Sequence, residues 1–241
     1  MPRSNIYLVG GYTYHLTHRC HNREFHLNRV RERDVYRKWL LEGVKRFDVS
    51  VYAFAITNNH VHVVAHADDQ ESIPKMMHLA AGSTAKQYNL RKGHFGSLWE
   101  HPYQCTLVDG REHLMNCLAY VDLNMVRARA VKHPSQWHWC GYDELTGKRS
   151  RYCIIDRERL LETLEFNSME EFQPVYKNLI KARIESDELK REACWTESLA
   201  VGSLEFIEKA QTLYPQRYYL YPDKAGLTGS DAWCVNEDSL S

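Results

Sequence analysis

The sequence predicts an α+β fold, in which helices pack against an antiparallel sheet. Two kinds of pattern predict it. The segments 12–20 and 49–57, "YTYHLTHRC" and "VSVYAFAIT", are rich in aromatic and β-branched residues, as strands are. Between such segments, apolar residues recur at helical spacing. The resulting order of strand, helix, hairpin, helix, strand and helix is typical of an α+β domain.

The first elements each have a local reason. The strand at 12–20 leads into a helix over 29–46, whose apolar residues fit one helix face. The strand at 49–57 and a third strand at 60–67 are separated only by two asparagines. Because asparagine pairs favour turns, these two strands are predicted to form a hairpin.

The following elements are read in the same way. A second helix begins at Ser72, a residue able to cap it, and ends near Gly93. A fourth strand is predicted at 103–108. A long helix is then entered at Asp109 and stops before Pro134.

Three regions are expected along the chain. Residues 1–150 form the α+β domain. Residues 151–213 form a helical C-terminal extension, with one of its helices over 202–211. Residues 214–241 mix aromatics with Pro, Gly and Asp, which predicts an irregular tail.

Composition excludes several classes of protein. No apolar run approaches the ~18–20 residues needed to span a bilayer, so no membrane association is expected. The N-terminal segment lacks the pattern of a signal peptide, and the seven cysteines are scattered without a C-x-x-C pair. We therefore expect a cytoplasmic protein with reduced thiols. No P-loop or dinucleotide motif is present, so no nucleotide cofactor is expected.

A charge asymmetry underlies the formal net charge of +0. Residues 1–150 carry 20 Lys and Arg against 14 Asp and Glu, a balance of +6, whereas residues 151–241 carry 11 against 17, a balance of −6. Basic residues gather on the helix predicted over 29–46, either as a solvated face or as a phosphate-binding face. They are Arg29, Arg31, Arg33, Arg37, Lys38, Lys45 and Arg46.

Two histidines open the third strand. His60 and His62 are two residues apart, so their side chains point to the same face of the sheet. They could bind one metal ion, or they could simply line a partly hydrated face of the sheet. A metal site generally needs at least a third ligand from elsewhere in the chain.

Tyr120 and Asn124 are four residues apart on the predicted long helix and therefore project from one face. If that face lies over the sheet, a tyrosine and an amide oxygen meet the two imidazoles. The alternative is that Tyr120 is a core aromatic residue. Arg127 and Arg129 follow one turn later, where the helix dipole favours positive charge.

Four motifs follow one another at compatible spacings. They are "YHLTHRCHNREF" (14–25), "NNHVHVV" (58–64), "GSLWEHPYQ" (96–104) and "YVDLNMVRARAV" (120–131). In this order they resemble the REP-associated tyrosine transposases, relatives of the single-tyrosine, IS200-like transposases of the HUH endonuclease group. The resemblance covers about residues 10–145, and "AVGSLEFIEKA" (200–210) is similar to a motif in the C-terminal extensions of some members.

The resemblance implies a fold and a site. It implies a bacterial protein in which residues 1–150 are the catalytic domain, with a ferredoxin-like antiparallel sheet flanked by helices. His60 and His62 match the histidine pair that binds a catalytic Mg²⁺ or Mn²⁺, and Tyr120 matches the nucleophile that forms a 5′-phosphotyrosine. Asn124 stands where related enzymes have a glutamine ligand, which makes it the candidate third ligand.

The resemblance also implies a substrate, single-stranded DNA in hairpins of repetitive extragenic palindromes. Cationic and aromatic side chains close to the predicted site in sequence are candidate DNA contacts. The candidates are His18, Arg19, Arg23, Trp99, His101, Tyr103, Arg127 and Arg129. The acidic extension is not expected to be the main DNA-binding face. We expect a monomer, with a dimer as the alternative.

The chain departs from the usual pattern of these transposases at three positions. Asn58 stands where a proline is usual, Met125 replaces a second proline, and Arg129 replaces a glycine. None of these changes removes a predicted ligand or the predicted nucleophile.

Two other functions stay open on the sequence alone. One is a DNA- or RNA-binding regulator that keeps this fold without cleaving. The other is a metal-dependent hydrolase in which Tyr120 has only a structural role.

Overall fold

The structure is a computed structural model that describes residues 8–93, 95–100, 102–186, 189–213, 220–225 and 231–237. Within these ranges no helix combines the length and the apolar character needed to cross a membrane. All seven cysteines are free thiols, as predicted.

The strands of the described residues form one sheet. They are Tyr12–Arg19 (β1), Ser50–Ile56 (β2), His60–Ala67 (β3), Gln104–Val108 (β4), Ala200–Gly202 (β5), Leu220–Lys224 (β6) and Trp233–Glu237 (β7). Their spatial order is β2-β3-β1-β4-β5-β7-β6. All neighbours are antiparallel except β4 and β5, which are parallel.

Helices precede and follow these strands. Those in the described residues are Val30–Phe47 (α1), Ser72–Lys92 (α2), Arg111–Asp122 (α3), Asn124–Arg127 (α4), Tyr142–Leu145 (α5), Arg157–Leu164 (α6), Met169–Glu185 (α7), Cys194–Glu197 (α8) and Leu204–Leu213 (α9). The order β1-α1-β2-β3-α2-β4, with strands arranged β2-β3-β1-β4, is the ferredoxin-like arrangement. The predicted α+β fold is therefore confirmed.

The two faces of the sheet have different partners. On one face, the indole N–H of Trp99 donates to the carbonyl of Ala81 in α2, and the Trp99 ring stacks on His18 of β1. On the other face, Asn124 of α4 lies against His60 and His62 of β3. Apolar side chains on both faces form one continuous core.

The register of β1 decides which side chains share the second face. Thr17 pairs with His62, and Arg19 pairs with His60. On its other edge, β1 places Thr17 opposite Gln104 of β4. Because side-chain direction alternates along a strand, these five polar side chains point the same way. They form a polar stripe across three neighbouring strands.

The predicted long helix from Asp109 to Pro134 is wrong in its extent. It is interrupted at Leu123 and ends at Arg127. The guanidinium of Arg127 donates to the carbonyl of Tyr120 at 2.8 Å, the acceptor that the N–H of Asn124 takes in an uninterrupted helix. Arg129 then adopts φ 55°, a left-handed conformation that ends helical geometry.

Two further predictions need correction. Ser72 is the first residue of α2 but does not cap it, because the capping position is Glu71 and the Ser72 hydroxyl donates to Asp69. The tail after residue 213 is not irregular where it is described, because β6 and β7 pair there. The helical extension likewise contributes β5 to the sheet. Strand pairing across the sheet edge overrides the turn-rich local sequence of this tail.

The turn before the histidine pair is held by a buried arginine. Arg33 of α1 donates from Nη1 to Asn58 Oδ1 at 3.0 Å and to the carbonyl of Leu27 at 2.9 Å. Its guanidinium lies over the Trp139 ring, 3.9 Å from the centroid. Arg37 of the same helix contacts a carboxylate inside the protein. Part of the basic character of α1 is therefore structural, which disfavours a continuous phosphate-binding face.

The left-handed conformation of Arg129 predicts that Arg129→Gly stabilises the protein. Glycine has no Cβ, so it removes a conformational cost of about 1–2 kcal/mol, and the greater freedom of glycine in the unfolded chain offsets about 0.4–1 kcal/mol of that gain. We expect a net increase in the free energy of unfolding of roughly 0.5–1 kcal/mol, measured by urea denaturation.

Arg151→Gly is the matched control, because Arg151 is also exposed but lacks a positive φ. We expect that substitution to be neutral or slightly destabilising. Equal effects of the two substitutions would contradict the conformational explanation.

Candidate active site

Three side chains from two elements meet at one point. On β3, the Nε2 atoms of His60 and His62 both face the amide of Asn124, which begins α4. Asn124 Nδ2 lies 2.9 Å from Nε2 of His62 and 3.4 Å from Nε2 of His60. The two imidazole rings are nearly perpendicular, with centroids 4.8 Å apart. Ring nitrogens of the two histidines therefore converge on one amide.

The hydrogen bonds of His60 fix which of its nitrogens carries the proton. Asn59 Nδ2 donates to the carbonyl of Arg23 at 2.9 Å, so its Oδ1 is the atom that faces His60 Nδ1, at 2.8 Å. The Thr57 hydroxyl donates to the His60 carbonyl and so offers a lone pair to the same Nδ1, at 3.0 Å. Both groups accept, so Nδ1 is protonated and Nε2 carries the lone pair.

His62 is contacted by a third histidine. Nε2 of His15, on β1, lies 2.8 Å from Nδ1 of His62, and the two rings are stacked. Nδ1 of His15 lies 2.7 Å from the carbonyl of Trp195, in α8. The C-terminal extension therefore reaches the centre of the site.

Tyr120 lies against this cluster. Its ring makes edge contacts with His15 and His62, each at a centroid distance of 6.0 Å, and a tilted contact with Trp195 at 6.3 Å. The guanidinium of Arg127 lies 4.0 Å from the centroid of the Tyr120 ring. Only 3% of Tyr120 is exposed. Tyr120 and Asn124 thus both lie against the histidine pair, although the helix that carries them is interrupted at Leu123.

Burial decides the protonation states of these groups. It lowers the pKa of His15 to about 4 and that of His60 to about 3, and it lowers the pKa of His62 well below its ordinary value. Burial also raises the pKa of Tyr120, although the positive charge of Arg127 opposes this rise. At neutral pH the imidazoles are neutral and the phenol is protonated.

The donor set fits a divalent metal ion. Only neutral imidazole binds metal, and both histidines are neutral with Nε2 atoms that converge. No three His, Cys, Asp or Glu side chains among the described residues are grouped so as to hold an ion. The Asn124 amide lies against both Nε2 atoms, and its rotation brings Oδ1 to the position of Nδ2, where an amide oxygen can also face an ion.

A polar cleft of about 220 Å³ opens on the same sheet face. Arg19 and Arg23 come from the first strand and the residues after it, and Arg191 comes from the extension. Two carboxylates, Glu100 and Glu197, also line the cleft. Its side chains can therefore pair with phosphate oxygens and with hydrogen-bond donors of a base.

Residues 8–124 match the model of the family described as "Transposase IS200 like". This segment contains β1 to α3 and every predicted metal ligand.

Residues 8–124 thus form a transposase-like domain, similar to the IS200-like transposases.

The family is that of DNA nicking and joining enzymes. Two solved structures are similar to the chain. A REP-associated tyrosine transposase bound to a REP hairpin is 18% identical, with 64% of this chain and 90% of that chain covered and a TM-score of 0.49. A Deinococcus radiodurans R1 protein described as a transposase is 21% identical, with 47% and 89% covered and a TM-score of 0.35. No curated protein matches the chain significantly.

The transposase domain brings only some of the predicted DNA contacts to the cleft. Arg19 and Arg23 line it. Arg129 is exposed, whereas Arg127 is held over the Tyr120 ring. Tyr103 is half-buried. The remaining candidate, His101, lies outside the described residues.

His18 and Trp99 do not present their rings as a platform for DNA bases. They are 5% and 8% exposed, and they stack on each other with centroids 4.2 Å apart. His18 and Arg19 are adjacent on β1, so they must point to opposite faces of the sheet. Only Arg19 shares the face that carries the histidine pair. The proximity of His18 to the site in sequence was therefore misleading.

Sequence analysis missed the contributions of His15 and of the extension. A signal for His15 was present, because it lies two residues before Thr17 and four before Arg19 on the same strand face. For Trp195 and Arg191 there was none, because local sequence does not report which segment packs over a distant sheet face.

The buried imidazoles predict that the metal-free protein loses stability on acidification. Below about pH 6.5 the unfolded chain protonates these rings, whereas the folded protein keeps them neutral down to about pH 4 at His15 and about pH 3 at His60. The unfolded state then binds more protons at these rings, so their contribution to the free energy of unfolding falls by at most about 1.4 kcal/mol per pH unit for each ring. Burial raises the pKa of Asp122 to about 7, which stabilises the folded protein on acidification and opposes this loss. Urea denaturation in chelator at several pH values measures this slope.

His62→Gln removes one such ring and is expected to make the slope shallower. A slope in His62→Gln equal to that of the wild type would show that the His62 ring is not neutral in the folded protein.

Proposed function

We propose that the protein is a metal-dependent endonuclease and strand transferase of single-stranded DNA, acting through a 5′-phosphotyrosine on Tyr120. One observation carries the proposal. Tyr120 and Asn124, from the helical region, lie against His60 and His62 of β3, on the face that also holds the cleft. A tyrosine with only a core role does not require two neutral imidazoles and an amide beside it.

His60, His62 and Asn124 are the proposed ligands. A divalent ion held there, Mg²⁺ or Mn²⁺, supplies Lewis-acid polarisation of the scissile phosphate. These three ligands are uncharged, so they leave the positive charge of an ion largely unreduced. Asn59 and Thr57 keep the lone pair of His60 on Nε2.

Tyr120 is the proposed nucleophile. Its Oη attacks phosphorus, the bond from phosphorus to the 3′ oxygen breaks, and the phenolic proton balances the 3′ hydroxyl that leaves. Because burial raises the pKa of Tyr120, the proton must leave during attack, and the positive charge of Arg127 favours the developing phenolate. Attack by another 3′ hydroxyl reverses the step and rejoins DNA without a nucleotide cofactor.

The polar cleft is the proposed binding site for the single strand. Arg19, Arg23 and Arg191 supply positive charge beside the catalytic groups. The four sequence motifs support a hairpin of a repetitive extragenic palindrome as the substrate. We further propose that the protein works in the cytoplasm as a monomer.

The decisive prediction concerns Tyr120. A suicide oligonucleotide carries a hairpin and a short, intact single-stranded flank whose 3′-hydroxyl fragment diffuses away after cleavage. It should form a covalent adduct with the wild-type protein in Mn²⁺ or Mg²⁺. Tyr120→Phe should form none while it still binds the oligonucleotide, because the substitution removes only the phenolic oxygen. Denaturing gel electrophoresis and mass spectrometry of the linked peptide measure the adduct.

Tyr142→Phe is a matched control, because Tyr142 is also buried but lies outside the site. Binding without any adduct in the wild type favours a non-catalytic regulator. Metal-dependent turnover that survives Tyr120→Phe favours a hydrolase.

A second prediction concerns the cleft. Arg191→Ala should weaken binding of a single-stranded oligonucleotide and reduce the dependence of log K on log salt by about 0.7 for each phosphate that the guanidinium neutralises. Arg46→Ala removes an exposed cation from α1 and should change neither quantity. Fluorescence anisotropy at several salt concentrations measures both. Equal weakening in the two variants would argue against the cleft as the binding site.

A further inference from the structure

We propose that His15 and the main-chain carbonyl of Trp195 set the tautomer of His62, so that the C-terminal extension orients one of the metal ligands. The inference rests on the proposed function in one respect, the role of His62 as a ligand. The tautomer itself follows from hydrogen bonds within the protein. His15 and Trp195 are positioning residues, because neither contacts the Nε2 atom that faces Asn124.

The argument starts at a group that can only accept. The Trp195 carbonyl lies 2.7 Å from Nδ1 of His15, so this Nδ1 must carry a proton. A neutral ring has one N–H, so Nε2 of His15 carries the lone pair. Nδ1 of His62 lies 2.8 Å from Nε2 of His15 and must donate a hydrogen bond to its lone pair. Nε2 of His62 is then unprotonated, at the position where it faces Asn124.

Two hydroxyl groups lie near this series of hydrogen bonds, and neither reverses the direction of donation. Thr106 Oγ1 is 2.7 Å from the carbonyl of Ser198 and 3.2 Å from that of Trp195, so its single proton favours Ser198. Thr17 Oγ1 lies 3.3 Å from Nδ1 of His62, farther than the 2.8 Å contact with His15. His15 is therefore the nearer acceptor for the His62 proton.

The two proposed histidine ligands are controlled from different parts of the chain. The acceptors for His60, Thr57 and Asn59, are three residues and one residue away. His62 depends on His15, 47 residues away, and His15 depends on Trp195, a further 180 residues away. Trp195 lies beyond residues 8–124, so the matched domain does not contain all the groups that orient its own site.

The carbonyl of Trp195 is held firmly. The indole N–H of Trp195 donates to Glu192 at 2.8 Å, and Glu192 pairs with Arg183 of α7 at 3.5 Å. On the C-terminal side, β5 pairs with β4 of the transposase domain. Trp195 itself is fully buried. These anchors on both sides of α8 fix the direction of the carbonyl.

Long-range ¹H–¹⁵N correlation spectra of the metal-free protein near neutral pH test the inference, because they distinguish the two tautomers of each ring. His15→Gln keeps an acceptor oxygen close to the position of Nε2, whereas His15→Phe has none. His66→Phe is the matched control on β3. Titration with Mn²⁺, followed by calorimetry, adds a binding readout for each variant.

We expect His62 to be protonated on Nδ1 in the wild type, in His15→Gln and in His66→Phe, and to populate both tautomers in His15→Phe. Mn²⁺ affinity should fall about 10–100-fold in His15→Phe and be largely retained in His15→Gln, the range typical for loss of a group that orients a ligand. Protonation of His62 on Nε2 in the wild type would overturn the inference. A single unchanged tautomer in His15→Phe would also overturn it, since Thr17 would then be the effective acceptor.

Failure of the proposed function gives a different result. A wild type that has the expected tautomers but does not bind Mn²⁺ contradicts the metal site and leaves the tautomer relay standing. If His15→Phe does not fold, the wild-type and His15→Gln spectra still decide the inference, because both tautomers are specified in advance.

Discussion

The register of β1 between β3 and β4 is the constraint on which the site depends. It places Thr17 opposite His62 and Gln104, and Arg19 opposite His60, so one face of three strands becomes polar. A shift of β1 by one residue would turn Thr17 and Arg19 away from the histidine pair, toward the apolar face covered by α2. The site therefore depends on backbone pairing that also forms the centre of the sheet, and the helices above that face add Tyr120 and Asn124 to an arrangement already fixed.

Burial gives this face its chemical character. Water is largely excluded from the three histidines, so their uncharged forms dominate near neutral pH. Burial also raises the pKa of Tyr120 and keeps its hydroxyl protonated. The phenol is therefore not yet activated as a nucleophile in the resting site. The neutral ligands and the protonated phenol are consistent with each other. The low-dielectric space keeps these groups uncharged until a charged partner, an ion or a phosphate, enters it.

Sequence predicted the ferredoxin-like half well because its signals are local. Alternation identified the strands, helical spacing identified α1 and α2, and the spacing of Tyr120 and Asn124 predicted a shared face. The failures had non-local causes. Leu123 interrupts a helix whose composition reads as continuous, and β6 and β7 form in a turn-rich tail because a sheet edge is available to them. His18 and Arg19 are adjacent on β1 and point to opposite faces of the sheet. The apolar pattern of the strand did not reveal which of the two faces carries the cleft.

The turn that precedes the histidine pair carries a further consequence. Where proline would restrict the chain even when unfolded, Asn58 restricts nothing until Arg33 and the Trp139 ring are in place. This turn is made rigid by contacts with α1 and with the loop that carries Trp139, about 80 residues later. The covalent structure of Asn58 does not itself restrict it. The orientation of His60 thus depends on distant segments that hold the turn as well as on its neighbours Thr57 and Asn59.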